Sequence, residues 1–156
     1  MDGKYVKDSA TYMSMVMLPD DANPAGNVHG GVIMKQIDNC GGVCAVRHSR
    51  SNAVTASIDR IDFHNPCHVG DLLILKASIN YVGKTSMEVG VRVEAENVLL
   101  AECRHIASAY LTYVALDKTG RPKEIPSLIA ETAEEKRRIK EGEDRRGRRL
   151  KERCRR

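Results

Sequence analysis

Apolar residues recur along the chain with two different periods, and the change of period separates a helix from strands. From residue 32 the apolar positions repeat at steps of three and four, which predicts a helix with one buried stripe formed by Ile33, Ile37, Cys40 and Cys44. The preceding segment, residues 19–27, is rich in Pro, Gly, Asn and Asp and is predicted to be a loop. Asn27 at its end is a candidate N-cap for the helix.

Alternation typical of β-strands covers most of the remaining chain. Residues 11–18 are the first candidate strand, and four more follow the helix at 54–64, 71–82, 87–96 and 101–117. The third of these four places Met87 and the alternate apolar residues to Ala95 on one face and Glu88, Arg92 and Glu94 on the other, as in a half-buried strand. The alternation in 54–64 changes phase after Ile58, which predicts a β-bulge near Arg60.

The order of these elements indicates an α+β fold. No helix separates the later strands, so a parallel α/β sheet is excluded, and one long helix on an antiparallel sheet of about five strands is the simplest arrangement. We expect a single domain over residues 1–126. Residues 127–156 are charged and helix-prone but have too few apolar side chains to form a core of their own, so we expect a helical extension.

Composition adds three expectations. With 42% hydrophobic residues, one Phe and no Trp, the core should be aliphatic. Five cysteines without a CxxC pair indicate reduced thiols, with Cys40 and Cys44 buried. No apolar run is long enough to cross a membrane and the first residues do not resemble a signal peptide, so we expect a cytoplasmic protein with no membrane partner.

The net charge of +4 is concentrated at one end of the chain. Residues 131–156 contain 12 Lys or Arg against seven Asp or Glu, whereas the body is nearly neutral. Such a tail attracts phosphate groups or simply remains solvated. A nucleic-acid-binding role is an alternative, but no set of aromatic residues accompanies the arginines for base stacking, so a nucleic-acid partner is not expected.

Asp38 is the first candidate for chemistry, because it lies inside the predicted helix among apolar and small residues. A partly desolvated carboxylate suits a general base or a nucleophile, although a solvated acid on the outer helix face fits the spacing as well. Backbone amides around His29, Gly30 and Gly31 are placed to polarise a carbonyl oxygen. Asn27 is placed to orient a water or that carbonyl, or else only caps the helix.

Two other familiar sites are excluded. Residues 82–86, VGKTS, resemble the end of a phosphate-binding loop, but position 78 is Ser and a strand follows, so this is no P-loop; a basic phosphate-binding turn and an ordinary hairpin remain open. His64 and His68 are four residues apart, but Pro66 lies between them and no further ligand is suggested, so no metal site is expected.

Several stretches resemble the acyl-CoA hydrolases of the hotdog superfamily, namely GNVHGGVIMKQID (26–38), AVRHSRSNAVTASIDRIDFHNP (45–66), KTSMEVGVRVEAE (84–96) and LTYVALDKTGRP (111–122). The resemblance covers about residues 8–140. It implies a long helix wrapped by an antiparallel sheet, acyl-CoA thioesterase activity, and coenzyme A bound as substrate and product with no separate cofactor. It also implies homodimers, three of which commonly form a hexamer.

The same resemblance implies roles for individual residues. Asn27 and Asp38 would act together across the dimer interface, each supplied by a different subunit. The groove for the pantetheine arm of CoA would be formed by Val54, Thr55, Ala56 and Ser57. The nucleotide end of CoA would be bound by Gly83, Lys84, Thr85 and Ser86. A phosphate of CoA would be contacted by Arg145 or Arg146. A hotdog hydratase pairing Asp38 with His29 is the alternative enzyme, but the surrounding motifs favour hydrolysis.

Overall fold

The computed structural model describes all 156 residues and contains one long central helix, one C-terminal helix and eight strands. In chain order these are β1 (Lys4–Tyr5), β2 (Thr11–Val16), α1 (Gly30–Ser49), β3 (Asn52–Ile58), β4 (Asp62–Phe63), β5 (Leu72–Val82), β6 (Ser86–Asn97), β7 (Glu102–Leu116), β8 (Leu128–Ile129) and α2 (Ala133–Cys154). The predicted α+β class and the predicted order of the long elements are confirmed. Neither helix has the length and hydropathy required to span a membrane.

The main sheet is antiparallel, with the strand order β2-β5-β6-β7-β3 and with β4 beside β7. Within the chain β3 pairs only with β7, so one of its backbone edges has no strand partner. The two-residue strands β1 and β8 form a separate parallel pair that brings the two ends of the chain together. These short strands carry no periodic pattern and were not expected from the sequence.

The core lies between α1 and the inner face of the sheet. The helix buries the predicted stripe, including both Cys40 and Cys44, and β6 buries alternate residues from Met87 to Ala95 as expected. The core is aliphatic except for Tyr113 on β7, whose ring is 1% exposed. A tyrosine in such a core requires a partner for its hydroxyl.

One local prediction was wrong. The N-cap of α1 is His29, whose Nδ1 accepts a hydrogen bond from the Gly31 amide, whereas Asn27 lies two residues upstream in a bridge with His68. The predicted bulge near Arg60 corresponds to a one-residue insertion between β3 and β4. Ile58 pairs with Leu111 and Asp62 pairs with Ser108, so residues 59–61 lie opposite only residues 109–110 of β7. A second register shift, which the pattern did not predict, lies between Thr55 and Ser57.

The C-terminal helix α2 covers part of the outer face of the sheet. Its Gly142 is so close to β5 that a Cβ there would lie 2.8 Å from the Cβ of Tyr81. Glu88 was expected on the polar face of β6, and it does point outward, but α2 buries it to 1% exposure. Arg145 and Arg149 from α2 both form ion pairs with its carboxylate. Burial of this carboxylate therefore depends on a helix more than 50 residues away in sequence.

His48, near the end of α1, makes folding pH-dependent. Its Nε2 lies 2.8 Å from the Pro126 carbonyl oxygen, so this nitrogen carries the proton, while the buried Nδ1 has no partner. Burial therefore lowers the pKa of His48 from 6.5. As the pH falls through about 6.5, the unfolded chain binds a proton at His48 that the folded chain does not bind. The contribution of His48 to the free energy of unfolding is therefore complete above this pH and decreases below it.

We expect the free energy of unfolding to fall by up to about 1.4 kcal/mol per pH unit below about pH 6.5 because of His48. Urea denaturation at several pH values and one protein concentration measures this slope. His48→Gln keeps a donor for the Pro126 carbonyl but does not titrate, so it should have a shallower slope. Equal slopes for the two proteins would contradict the assignment.

Candidate active site

The Asp38 side chain is held by two hydroxyl groups from the sheet. The hydroxyl of Thr55 on β3 donates to Asp38 Oδ1 over 2.7 Å, and that of Tyr113 on β7 donates to the same oxygen over 2.9 Å. Asp38 Oδ2 makes no hydrogen bond within the chain. The half-buried carboxylate is thus fixed through one oxygen and free at the other. Such a group is arranged to accept a proton or to attack a carbonyl carbon.

The contact of Tyr113 with Asp38 was not predicted from the sequence, and Thr55 was expected only in the pantetheine groove. Burial, followed by the hydrogen bond to Asp38, raises the pKa of Tyr113 far above its ordinary value of 10, so its hydroxyl stays protonated and acts as a donor. One signal was available in the sequence. Tyr113 occupies an inward position of β7 in a chain whose core was expected to be aliphatic, where a phenol needs a polar partner.

The start of α1 presents one free backbone amide. The Gly31 amide is occupied by His29 Nδ1 at 3.0 Å, but the Gly30 amide makes no hydrogen bond within the chain. A donor at a helix N-terminus can stabilise a developing oxyanion. Three residues, His29, Gly30 and Gly31, were predicted to polarise a carbonyl oxygen. The His29 side chain occupies the Gly31 amide, so Gly30 supplies the available N–H. The Phe63 ring lies beside it, 3.8 Å from where a Gly30 Cβ would be.

Asn27 lies in the loop before α1 with its side chain uncommitted. Its backbone is fixed on both sides, since its amide donates to the Asn23 side chain over 3.2 Å and its carbonyl accepts from the Asn23 amide over 2.7 Å. Asp38 is in the third turn of the helix that follows. At about 1.5 Å per residue, Gly30 and Asp38 are about 12 Å apart along the helix axis, and Asn27 lies three residues before Gly30.

The residues predicted for the pantetheine groove lie on the unpaired edge strand. Val54, Thr55, Ala56 and Ser57 are all exposed on β3. The predicted nucleotide end, Gly83–Ser86, forms the turn between β5 and β6. Its backbone is fixed to two neighbouring segments, because the Ala115 amide donates to Thr85 and the Ile125 amide donates to Lys84. A cavity of about 400 Å³ adjoins this turn, lined in part by Gly83 and Lys84.

The two candidate phosphate-binding arginines have different surroundings. Arg145 is committed to the buried Glu88, with a shortest contact of 2.6 Å, and its guanidinium stacks 3.7 Å from the centre of the Tyr110 ring. Arg146 lies next to the Gly83 turn and makes no ion pair. The exposed Lys84 in that turn is also unpaired. The two free cations at this turn are therefore Lys84 and Arg146.

The structure contains no group of three His, Cys, Asp or Glu side chains placed to bind a metal ion. The His64 ring lies against the His105 ring, with ring centres 5.1 Å apart.

Comparison with known proteins places the chain in a family. The model of the thioesterase superfamily matches residues 25–102, a segment that includes Asn27, Asp38 and Thr55. A solved hexameric acyl-CoA thioesterase is 38% identical, with a TM-score of 0.94 and 97% of each chain covered. The chain belongs to the thioesterase superfamily. The expected hotdog fold, a helix wrapped by a curled antiparallel sheet, is thereby confirmed.

Two further comparisons concern individual members of this superfamily. The mouse cytosolic acyl coenzyme A thioester hydrolase is 40% identical over 129 residues, and the match covers 81% of this chain but 34% of the mouse protein. The chain thus spans about a third of that relative. An acyl-CoA hydrolase of Staphylococcus aureus, solved with butyryl coenzyme A and coenzyme A, is 34% identical with a TM-score of 0.90, covering 97% of this chain and 92% of that one. Structures also exist of variants of the Staphylococcus enzyme in which an aspartate, an asparagine or a threonine is replaced by alanine.

Proposed function

We propose that this superfamily member hydrolyses the thioester of acyl-CoA to a free fatty acid and coenzyme A. The observation that carries the proposal is the Asp38 carboxylate, fixed at one oxygen by Thr55 and Tyr113 and free at the other. The site is built from an aspartate, an asparagine and a threonine, the three residue types replaced in variants of the Staphylococcus aureus acyl-CoA hydrolase. Water is the second substrate and no separate cofactor is required. The proposed location of the protein is the cytoplasm, in accord with the name of the mouse relative.

In the proposed reaction Gly30 and Asn27 come from one subunit and Asp38 comes from the other. The Gly30 amide donates to the thioester carbonyl oxygen, and Asn27 holds the carbonyl or the attacking water in line. Asp38 either removes a proton from water, which adds to the carbonyl carbon, or attacks that carbon itself to form an anhydride that water then opens. The carbon–sulfur bond breaks and the CoA thiolate leaves, to be protonated from solvent. In a single turnover in heavy-oxygen water, label in Asp38 would identify the anhydride route.

The site needs two chains, because Asn27 and Asp38 of one chain are separated along α1. The unpaired edge of β3 is the natural place for a second copy, since Val54 and Ile58 on this strand are 42% and 41% exposed. Pairing there would bring the loop of one subunit towards the α1 helix of the other. We therefore propose a symmetric homodimer with two complete sites. A trimer of such dimers is the proposed assembly, by likeness to the hexameric thioesterase.

The coenzyme is proposed to lie along this same edge. Its pantetheine arm would follow residues 54–57 towards Asp38, and its phosphates would meet the turn at residues 83–86. Lys84 and Arg146 supply two positive charges there that form no ion pair within the chain, and phosphate groups are suitable counterions. Arg145 is already engaged by Glu88, so the proposed phosphate contact in α2 is Arg146.

Complementation between two inactive variants tests the shared site and the reaction together. Asn27→Ala and Asp38→Asn should each be nearly inactive in a thiol-release assay with acyl-CoA. A mixed dimer of the two keeps one intact site, so random pairing should restore about a quarter of wild-type activity. Mixing Asp38→Asn with Asp38→Ala is the control and should restore nothing. Failure of the first mixture, despite verified mixed oligomers, would contradict a site made from two subunits.

A further inference from the structure

Tyr113 is the only tyrosine of the core, and its hydroxyl donates hydrogen bonds to one residue, Asp38. Its ring is packed among aliphatic side chains on the inner face of β7, where a phenylalanine would fill nearly the same space. The hydroxyl lies 2.9 Å from Asp38 Oδ1 and 3.1 Å from the Asp38 backbone oxygen. Burying a hydroxyl is unfavourable unless it is bonded, and both oxygens that accept from this hydroxyl belong to Asp38.

A glycine on α1 leaves space for the Tyr113 hydroxyl beside Asp38. Gly41 lies one turn after Asp38 and is buried, and a Cβ at this position would lie 2.6 Å from the Tyr113 hydroxyl oxygen. Alanine is the stronger helix former, so a glycine in the middle of a helix needs another reason. The adjacent Gly42 has no such constraint, since its Cβ would come no closer than 3.9 Å to the Tyr113 ring.

The hydroxyl also determines which carboxylate oxygen stays free. Thr55 and Tyr113 approach Asp38 from two different strands and converge on Oδ1, which fixes the plane of the carboxylate. The remaining oxygen is left without a partner. The groups that act on the pKa of Tyr113 besides burial are Asp38, Thr55 and the Cys44 thiol, and the first two of these are the same hydrogen-bonded set.

Resting on the proposed hydrolysis, we propose that Tyr113 is a positioning residue for catalysis. Its hydroxyl, for which Gly41 leaves space, acts with Thr55 to orient Asp38 so that the free carboxylate oxygen faces the substrate. A hydrogen bond donated to a charged group is stronger than one between neutral groups. Removing this donor leaves Thr55 alone on Oδ1. The plane of the carboxylate is then less restricted.

Tyr113→Phe tests the inference in the full-length oligomer. We expect kcat for acyl-CoA hydrolysis to fall about tenfold with KM within about twofold of wild type, because Asp38 is displaced while the coenzyme contacts remain. A purely structural tyrosine would change thermal stability but would not lower kcat selectively.

Gly41→Ala supplies a second variant that keeps the phenol but displaces it, and Gly42→Ala is the matched control with the same gain in helix propensity. Gly41→Ala should lower kcat with little change in KM, as Tyr113→Phe does, whereas Gly42→Ala should resemble wild type. If wild type turns over acyl-CoA but Tyr113→Phe and Gly41→Ala, folded and assembled, keep its kcat, the positioning role is overturned. If wild type itself releases no thiol, the proposed function fails and the role fails with it.

Discussion

Replacing Asp38 with asparagine is expected to lower kcat for acyl-CoA hydrolysis by about 10²–10⁴-fold while leaving the fold and the oligomer intact. The amide has the size of the carboxylate, and its oxygen can still accept from Thr55 and Tyr113. It is neither a base nor a nucleophile near neutral pH, so the step assigned to Asp38 is lost. Thiol release at saturating acyl-CoA measures the effect.

The control for this substitution is Asp144→Asn, the same chemical change at an exposed position on α2. It should leave kcat within about twofold of wild type, since surface substitutions have small effects. KM should change little in Asp38→Asn, because binding of the coenzyme is assigned to other residues. Near-normal turnover in a folded Asp38→Asn oligomer would remove the basis of the proposed mechanism.

The long elements could be predicted because each carries a periodic pattern. The stripe from Ile33 to Cys44 has helical spacing, and the helical period predicted from residue 32 begins two residues after the observed start at Gly30. The alternation from Met87 to Ala95 has strand spacing, and the strand predicted at 87–96 is one residue shorter than β6 at each end. The resemblance to hotdog hydrolases supplied the curvature and the arrangement of the sheet around the helix, which periodicity alone does not specify.

What could not be predicted depends on contacts between distant residues. Thr55 and Tyr113 are 17 and 75 residues from Asp38, and no local pattern indicates that both hydroxyls meet one carboxylate oxygen. The cap of α1 was misassigned for a related reason. Asn is a better N-cap than His by general preference, but the backbone of Asn27 is held in a bridge to His68, and the helix begins after it.

The assignment of the tail arginines shows the same limit. The sequence identifies a basic helix and a resemblance to chains whose tail contacts coenzyme A, but neighbouring arginines on a helix point in directions about 100° apart. Arg145 therefore faces the sheet while Arg146 faces the Gly83 turn. Which of the two is free depends on Glu88, and the alternation of β6 gave no reason to expect that residue to be buried.

Arg145→Ala is expected to lower the free energy of unfolding by about 3 kcal/mol or more, because it leaves the carboxylate of Glu88 buried without its main partner. In wild type the Arg145 guanidinium donates to both Glu88 oxygens, while Arg149 and Asn80 each add one contact at 3.3 Å. Those two weaker contacts cannot replace a bidentate ion pair. Urea denaturation measures the loss, and hydrogen exchange should show that α2 opens first.

Arg138→Ala is the matched control, since it removes an arginine from the same helix whose ion pair with Glu134 is exposed. It should change stability by less than about 1 kcal/mol. Adding Glu88→Gln to Arg145→Ala should recover part of the loss, because a neutral amide is less costly to bury than a carboxylate. If Arg145→Ala instead raises KM for acyl-CoA and leaves stability at the Arg138→Ala level, Arg145 rather than Arg146 contacts the coenzyme, and Glu88 does not depend on it.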